Sequence, residues 1–485
     1  MSEIKNLNPQ RVWKHFYSLT QIPRPSKKEA KVIAFMKKFG EDLGLETIVD
    51  HIGNVIIRKP ATPGMENRMG IVFQGHLDMV PQKNSDKVHD FEKDPIEAYV
   101  DGDWVTAKGT TLGADNGMGC AAAMAVLEAK DLVHGPVEAL FTIDEETGMT
   151  GANELKPGIL KGDILMNLDS EDEGELYVGC AGGVDVNVEM DYQQIDTPAS
   201  LIAYKLEITG LKGGHSGMDI NIGRSNSNKL LFRFLNHCIY HFDIKLSDVI
   251  GGSLRNAIPR ESSAIVLVSE KDAAGFEAEV KKFETIFAQE FSATEPELKM
   301  FAKKTNTPAK VMEHDVMVKI VKATFACPHG VERMSDAMPG LVETSNNLAI
   351  VKCVDGKYTV NCLVRSSVDS AKAGAMYKIG TIFDLIGANV SFDGAYPGWK
   401  PNMDSPILKT MQETYLKLYG KTPEIKAIHA GLECGLLGSV YPNWDMISFG
   451  PTIRYPHSPD EKVHIESVEK FWNYIVETLK NVPIK

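Results

Sequence analysis

Five short motifs carry the groups of this chain best placed to do chemistry. Gln74-Gly75-His76-Leu77-Asp78 follows the apolar run 69–73. His76 offers an imidazole to a metal, and Asp78 can reach the other ring nitrogen and fix the ring's orientation. The same H-x-D spacing also occurs without a metal. Gly113-Ala114-Asp115-Asn116-Gly117 leads into an Ala-rich stretch. Its glycines let the backbone bend and bring Asp115 into a cleft, although an Asp at a helix entrance also serves as a plain cap. Asp144-Glu145-Glu146-Thr147-Gly148 puts three carboxylates together after the apolar run 139–143. Such a cluster is either solvated or compensated by a cation. Asn167-Leu168-Asp169-Ser170-Glu171 ends another apolar run, and Tyr455-Pro456-His457-Ser458-Pro459 holds a histidine on a stiff loop. A histidine in such a loop is a ligand or simply a surface residue.

Taken together, His76, Asp115, Glu146, Asp169 and His457 form an imidazole and carboxylate set without sulfur. Such nitrogen and oxygen ligation suits Zn, Co or Mn. Five ligands with one shared carboxylate make a two-metal site, with the ions about 3.5–4 Å apart. Glu145, beside a ligand but not needed as one, is then the general base for a metal-activated water. No GxxxxGK[ST] phosphate loop is present, and no GxGxxG stands at a strand end.

The elements that must position these groups alternate. Helical spacing over 9–20 and 27–43, short apolar or β-branched runs at 54–58, 69–74, 137–143 and 163–168, and an Ala-rich helix over 111–130 predict an α/β layer with a largely parallel sheet. The motifs fall at the carboxyl ends of those strands, where α/β sheets build their sites. From about 185 to 398 the order becomes β-α-β-β-α-β, the ferredoxin-like unit, with strands at 204–209, 246–251, 262–269 and 297–302. A second, looser copy follows, its helices at 310–325 and 371–386. The α/β pattern resumes near 400.

Composition narrows the function. The chain has 485 residues, 43% hydrophobic and 24% charged, with 52 Lys and Arg against 65 Asp and Glu, a net charge of −13. It lacks the basic face that nucleic acid or an anionic membrane surface demands. No secretory signal is expected at the N-terminus, and no apolar stretch is long enough to span a bilayer. Seven scattered cysteines without a CxxC pair fit reduced thiols in the cytoplasm.

The motifs HLDMV with His76, GADNG with Asp115, DEETG with Glu145 and Glu146, NLDSE with Asp169 and PHSPDE with His457 resemble the two-zinc exopeptidases. That family includes carnosinase, aminoacylase, carboxypeptidase G and several bacterial dipeptidases. LKGGHSGMDI, GGSLRNAIPRE, GAYPGWKP, IHAGLECG and GPTIRYPHSPDEKVHIES carry the resemblance over essentially the whole chain. It implies a catalytic α/β domain over 1–184 and 399–485, with a mixed, mostly parallel sheet. An α+β lid of ferredoxin-like units, residues 185–398, would be inserted in it. Asp115 would bridge the two metals, His76 and Asp169 would complete one site, and Glu146 and His457 the other. Asp78 would orient His76, Glu145 would accept the proton, and the Asp115–Asn116 peptide would be cis.

From the lid, the resemblance implies that His215 in GGHSG stabilises the oxyanion. Asn256 in LRNAIP and Arg365 in CLVRSS would hold the substrate's carbonyl or terminal carboxylate, and Gly431 in HAGLECG would act through its backbone. Plainer roles remain for these residues: a turn at Gly213-Gly214, a turn residue at Asn256 and an Arg365–Asp369 ion pair. The implied activity is hydrolysis of dipeptides with free termini, including Xaa-His and carnosine-like β-alanyl-histidine. It would use two divalent ions, zinc with Co or Mn able to substitute, in a cytoplasmic homodimer. An N-acyl amino-acid deacylase on the same scaffold is the alternative.

Overall fold

A computed structural model describes residues 3–485. The chain forms two compact units. The first contains the residues up to Gly179, Pro401–Ala427 and Leu432–Lys485; the second contains Cys180–Lys400 and the short segment Ile428–Gly431. The division thus falls a few residues outside 185 and 398, and a four-residue piece of the later chain joins the second unit. Its backbone explains this: the Ala181 N–H donates to the carbonyls of Ile428 and Ala430, at 3.1 and 3.0 Å.

The first unit is built on an eight-stranded sheet. Its order is Glu46–Val49, Val55–Lys59, Val137–Thr142, Ile71–His76, Ile164–Asn167, Asp445–Ser448, Glu175–Cys180, Glu424–Ile428. The four central strands are parallel to one another. The flanks, from Glu46–Val49 through Val55–Lys59 to Val137–Thr142 and from Asp445–Ser448 to Glu175–Cys180, pair antiparallel. The sheet is therefore mixed, with its parallel part confined to the centre. Strands Ile71–His76, Val137–Thr142 and Ile164–Asn167 are buried along their whole length. This is why they read as continuous apolar runs and not as alternating ones. Helix Ala114–Glu128 is buried on nearly every side, which its small side chains permit.

A second, four-stranded sheet escapes the sequence reading. Strands Ala98–Asp101, Trp104–Ala107, Lys462–His464 and Ile453–Arg454 lie side by side. The last two pair antiparallel, so His457 sits on the loop of a hairpin. Among the described residues, no helix is long and apolar enough to cross a membrane.

The second unit holds two ferredoxin-like copies in one sheet. The first copy consists of strands Leu201–Thr209, Lys245–Gly251, Ser262–Ser269 and Lys299–Lys304 with helices Ser227–His241 and Ala273–Glu290. The second has strands Val342–Val354, Lys357–Ser366 and Asn389–Tyr396, helices His314–Ala326 and Asp369–Asp384, and a first strand, Gly182–Asp191, that lies ahead of the whole first copy. The copies are therefore nested, not consecutive. The first is inserted between the opening strand and opening helix of the second. A short ladder of Gln194–Asp196 against Lys310–Met312 closes the base of the insertion. The copies meet where Val249, Ile250 and Gly251 pair antiparallel with Cys353, Lys352 and Val351. One continuous core runs beneath both, from Tyr204, Phe234 and Phe276 to Tyr358 and Phe383.

All seven cysteines are buried. The sulfurs of Cys327 and Cys362 are 3.8 Å apart, well beyond the 2.03–2.05 Å of a disulfide.

Candidate metal centre

Five side chains expected to hold metal converge at the carboxyl end of the first unit's parallel strands. His76 is the last residue of its strand and is buried. Its Nε2 lies 3.0 Å from Asp115 Oδ1 and 3.4 Å from Asp169 Oδ1. The other oxygen of Asp115, Oδ2, lies 3.1 Å from His457 Nε2, which is 3.0 Å from Glu146 Oε2. Asp115 therefore turns one carboxylate oxygen to each imidazole, as a bridging ligand between two ions requires. His76, Asp115 and Asp169 form one compact ligand group, and Asp115, Glu146 and His457 another; within each the ligand atoms lie within 4.8 Å of one another.

Two buried oxygens, Asp169 Oδ1 and Glu146 Oε1, have no hydrogen-bond donor. Leaving such atoms unpaired is costly in a protein interior, and cations between these groups would satisfy both. The residues present thus fit two divalent ions, with nitrogen and oxygen donors only. The Asp115–Asn116 peptide is cis, and the Asn116 amide donates to Leu168 O at 2.7 Å, tying this loop to the one that carries Asp169.

Electrostatics follow the crowding. Burial pushes the Asp169 carboxyl up to about 7, with repulsion from Asp115 and Glu146 adding to it. Hydrogen bonds to the carboxylates of Asp115 and Glu146 raise His457 to about 11. Burial raises Glu145 well above the usual carboxylate range, and Asp169, Glu433 and Glu146 reinforce the shift. Asp78 is opposite in sign. Despite its burial it is held at about 2 by His76, Ser26 and the Glu145 N–H. Its Oδ1 lies 3.3 Å from His76 Nδ1, and its two oxygens also accept the backbone N–H groups of Glu145 and Glu146, at 3.0 and 3.3 Å. Asp78 thus fixes both the His76 ring and the start of the acidic turn.

A polar chain beneath the ligands is absent from the sequence reading. Glu433, fully buried, accepts from Gln74 at 2.6 Å and from Thr142 at 2.9 Å. The Asn167 amide donates to Gln74 Oε1, the Ser448 hydroxyl to Asn167, and Ser448 meets Ser170 at 2.7 Å. Gln74 precedes His76 by two residues on one strand, so the two side chains share a face, and Asn167 ends the strand from which Asp169 follows two residues on.

The four residues expected to touch substrate lie in the second unit. His215 Nδ1 accepts the backbone N–H groups of Gly217 and Met218, at 3.2 and 3.1 Å. That places the ring proton on Nε2 and makes it a donor; burial and nearby Arg365 lower its pKa and keep it neutral. Arg365 is only 5% exposed. Its Nε donates to Ser216 Oγ at 3.2 Å and its Nη1 to Tyr396 Oη at 3.1 Å. The Arg365–Asp369 pair does not form, because Asp369 instead takes Lys372 at 2.8 Å. A buried guanidinium held by neutral hydroxyls keeps donors with which it could take an anion. Asn256 is exposed, and its carbonyl accepts the Ser216 N–H at 2.8 Å. Gly431 faces the Tyr396 ring, which a Cβ would approach to 3.1 Å. Tyr396, Ser216, and the buried pair His429–Ser345 at 2.7 Å are further polar groups of this unit that spacing alone did not single out.

Residues 72–481 match the peptidase family M20/M25/M40, and the chain belongs to that family. Its fold is that of a metallopeptidase, and its converging histidines and carboxylates are candidate metal ligands. Among its relatives, the cytosol non-specific dipeptidase of Escherichia coli (strain K12) is 46% identical over 488 residues, covering 100% of both chains. The crystal structure of aminoacylhistidine dipeptidase from Vibrio alginolyticus superposes with a TM-score of 0.97 at 48% identity, over 100% of this chain and 99% of that one. Aminopeptidase PepT from Bacillus cereus ATCC 10987 shares the fold, with a TM-score of 0.57 at 17% identity over 98% of this chain and 99% of that one.

Proposed function

We propose that this chain hydrolyses the peptide bond of dipeptides with free termini, Xaa-His and β-alanyl-histidine among them, as a cytoplasmic homodimer. The observation that carries the reading is Asp115, one oxygen toward His76 and the other toward His457. Full-length similarity to two dipeptidases supports the substrate class. Two divalent ions, zinc with Co or Mn able to substitute, would be held by His76, Asp115, Glu146, Asp169 and His457 and would lower the pKa of water toward about 7.

The chain's own groups do the rest. Glu145, raised by burial, takes a proton from the water and delivers it to the leaving amine. Asp78 holds the His76 tautomer. His215 donates its Nε2 proton to the developing oxyanion, with Asn256 and the Gly431 backbone assisting substrate binding. Arg365 binds the terminal carboxylate and so limits substrates to two residues.

The test is a substrate panel: Xaa-His dipeptides, β-alanyl-histidine, the same dipeptides N-acetylated or C-amidated, a tripeptide and an N-acetyl amino acid. Free dipeptides should be turned over and the blocked or longer compounds poorly. Fastest turnover of the N-acetyl amino acid would instead define a deacylase.

Arg365 supplies a sharper expectation. A charge-assisted bond to a carboxylate is worth about 1.5–3 kcal/mol, so Arg365→Ala should lower kcat/KM for a dipeptide roughly 10- to 1000-fold. The same dipeptide as its amide should be scarcely affected, and metal content should stay normal. An equal loss on acid and amide would mean that Arg365 supports the fold of its unit and does not read the terminus.

A further inference from the structure

Two oppositely charged residues, both only 2% exposed, grip the turn that carries Asp115. Glu461 lies four residues beyond His457. Its Oε2 accepts the backbone N–H groups of Leu112 and Gly113, at 2.7 and 2.9 Å, and its Oε1 those of Ala114 and Asp115, at 2.7 and 3.1 Å. Arg24 holds the carbonyls. Its Nη2 donates to Gly113 O at 2.6 Å, and its Nη1 to Leu77 O and Asp78 O at 2.8 and 2.9 Å. Gly113 thus gives its N–H to the anion and its carbonyl to the cation. Among the described residues, Arg24 has no carboxylate within ion-pair distance.

The glycines of GADNG make room for this arrangement. Gly113 has φ 73°, and a Cβ on either Gly113 or Gly117 would come within 2.7 Å of Arg24 Nη2. Burial pushes the Glu461 carboxyl up to about 7 while its N–H bonds pull it down. With both oxygens already accepting two N–H groups, the geometry is that of the carboxylate. Charge-assisted bonds of this kind are about twice as strong as neutral ones and gain further in a low-dielectric interior.

We propose that Glu461 and Arg24 are positioning residues for the metal centre, fixing the bridging carboxylate Asp115 relative to His457 on one side and to His76 and Asp78 on the other. The argument is one of connectivity. Glu461 joins the His457 hairpin to the Asp115 turn, and Arg24 joins the Asp115 turn to the end of the His76 strand. Three presumed ligands on three separate segments are thereby held through their backbone.

The proposal rests on the two-metal reading above, and the test separates them. Glu461→Gln places an amide NH2 against two of the four N–H donors. Arg24→Lys keeps the charge and loses the fork. Both should fold, as judged by far-UV circular dichroism. Chelator competition should show zinc affinity 10- to 100-fold weaker in Glu461→Gln, the range for disturbing groups behind metal ligands, and weaker by a smaller factor in Arg24→Lys. The cobalt-substituted protein should show an altered visible spectrum, and the double variant should lose less than the product of the single losses, since both grip one peptide unit.

Glu295, another buried carboxylate that accepts the Lys212 and Ser225 N–H groups in the second unit, is the control: Glu295→Gln should leave zinc affinity unchanged. Zinc affinity within twofold of the parent and an unchanged cobalt spectrum in both variants would overturn the proposal, even if melting temperatures fell. If Glu461→Gln failed to fold, Arg24→Lys would decide alone. A parent protein that binds no divalent metal would instead remove the two-metal reading itself.

Discussion

Chelation should take dipeptide turnover to background, and zinc or cobalt should restore it. The expected stoichiometry is about two ions per chain. The size of the effect follows from the chemistry: free water, with a pKa of about 15.7, supplies almost no hydroxide at neutral pH. Loading should also release protons. A metal takes only neutral imidazole, whereas Asp115 and Glu146 raise His457 to about 11. His76, which burial alone would lower, is raised well above its ordinary value by Asp169 and Asp115. The His457 ring must therefore give up a proton at pH 7, and the upward shift of His76 acts in the same direction, so metal affinity should rise with pH. Adding zinc to stripped protein in weak buffer and following an indicator dye measures this. Full activity in excess chelator, with no bound metal by elemental analysis, would defeat the two-metal reading.

The second large effect separates two adjacent glutamates. Glu146 faces His457 at 3.0 Å and has a buried oxygen without a donor, whereas Glu145, although within 4.8 Å of His76, makes no ion pair among the described residues and carries a raised pKa. Glu145→Gln should keep metal content near normal and lower kcat at least about 10²-fold. Glu146→Gln should lose metal affinity. Elemental analysis beside steady-state kinetics gives both readings, and the reverse pattern would exchange the two roles.

What could be read in advance follows a physical division. His76, Asp169 and the acidic turn at 144–146 announce themselves because a buried parallel strand is a continuous apolar run, and a charged group at its end is conspicuous. Arg24 and Glu461 do not, because their partners are backbone N–H and C=O groups, which every sequence has; Glu461 and Asp115 are 346 positions apart. The Gln74–Glu433 contact joins residues 359 apart and is equally silent. Strand Gly182–Asp191 was legible in principle: Val184, Val186 and Val188 alternate with Asp185, Asn187 and Glu189 and are buried. It was missed because it stands a hundred residues and more ahead of the rest of its copy, where a reading in chain order does not look. The strands at Ala98–Asp101 and Ile453–Arg454 are too short to leave a periodic signal.

The ladder between Lys245–Gly251 and Val342–Val354 has a consequence for symmetry. Two similar half-sheets are joined edge to edge, yet both belong to one chain. Their pairing is therefore independent of dilution, and no substitution is forced to occur twice. In a sheet shared by two identical chains, every change in one half is imposed on the other. Here the halves are free to differ, and they do. The first packs the rings of Phe234, Phe276, Phe283 and Phe287 against one another, while the second sets Tyr358 against Phe383. His215 belongs to the stretch of the first copy and Arg365 to a strand of the second. A duplicated scaffold under one covalent backbone can thus divide two tasks between halves that identical partners would have to perform in duplicate.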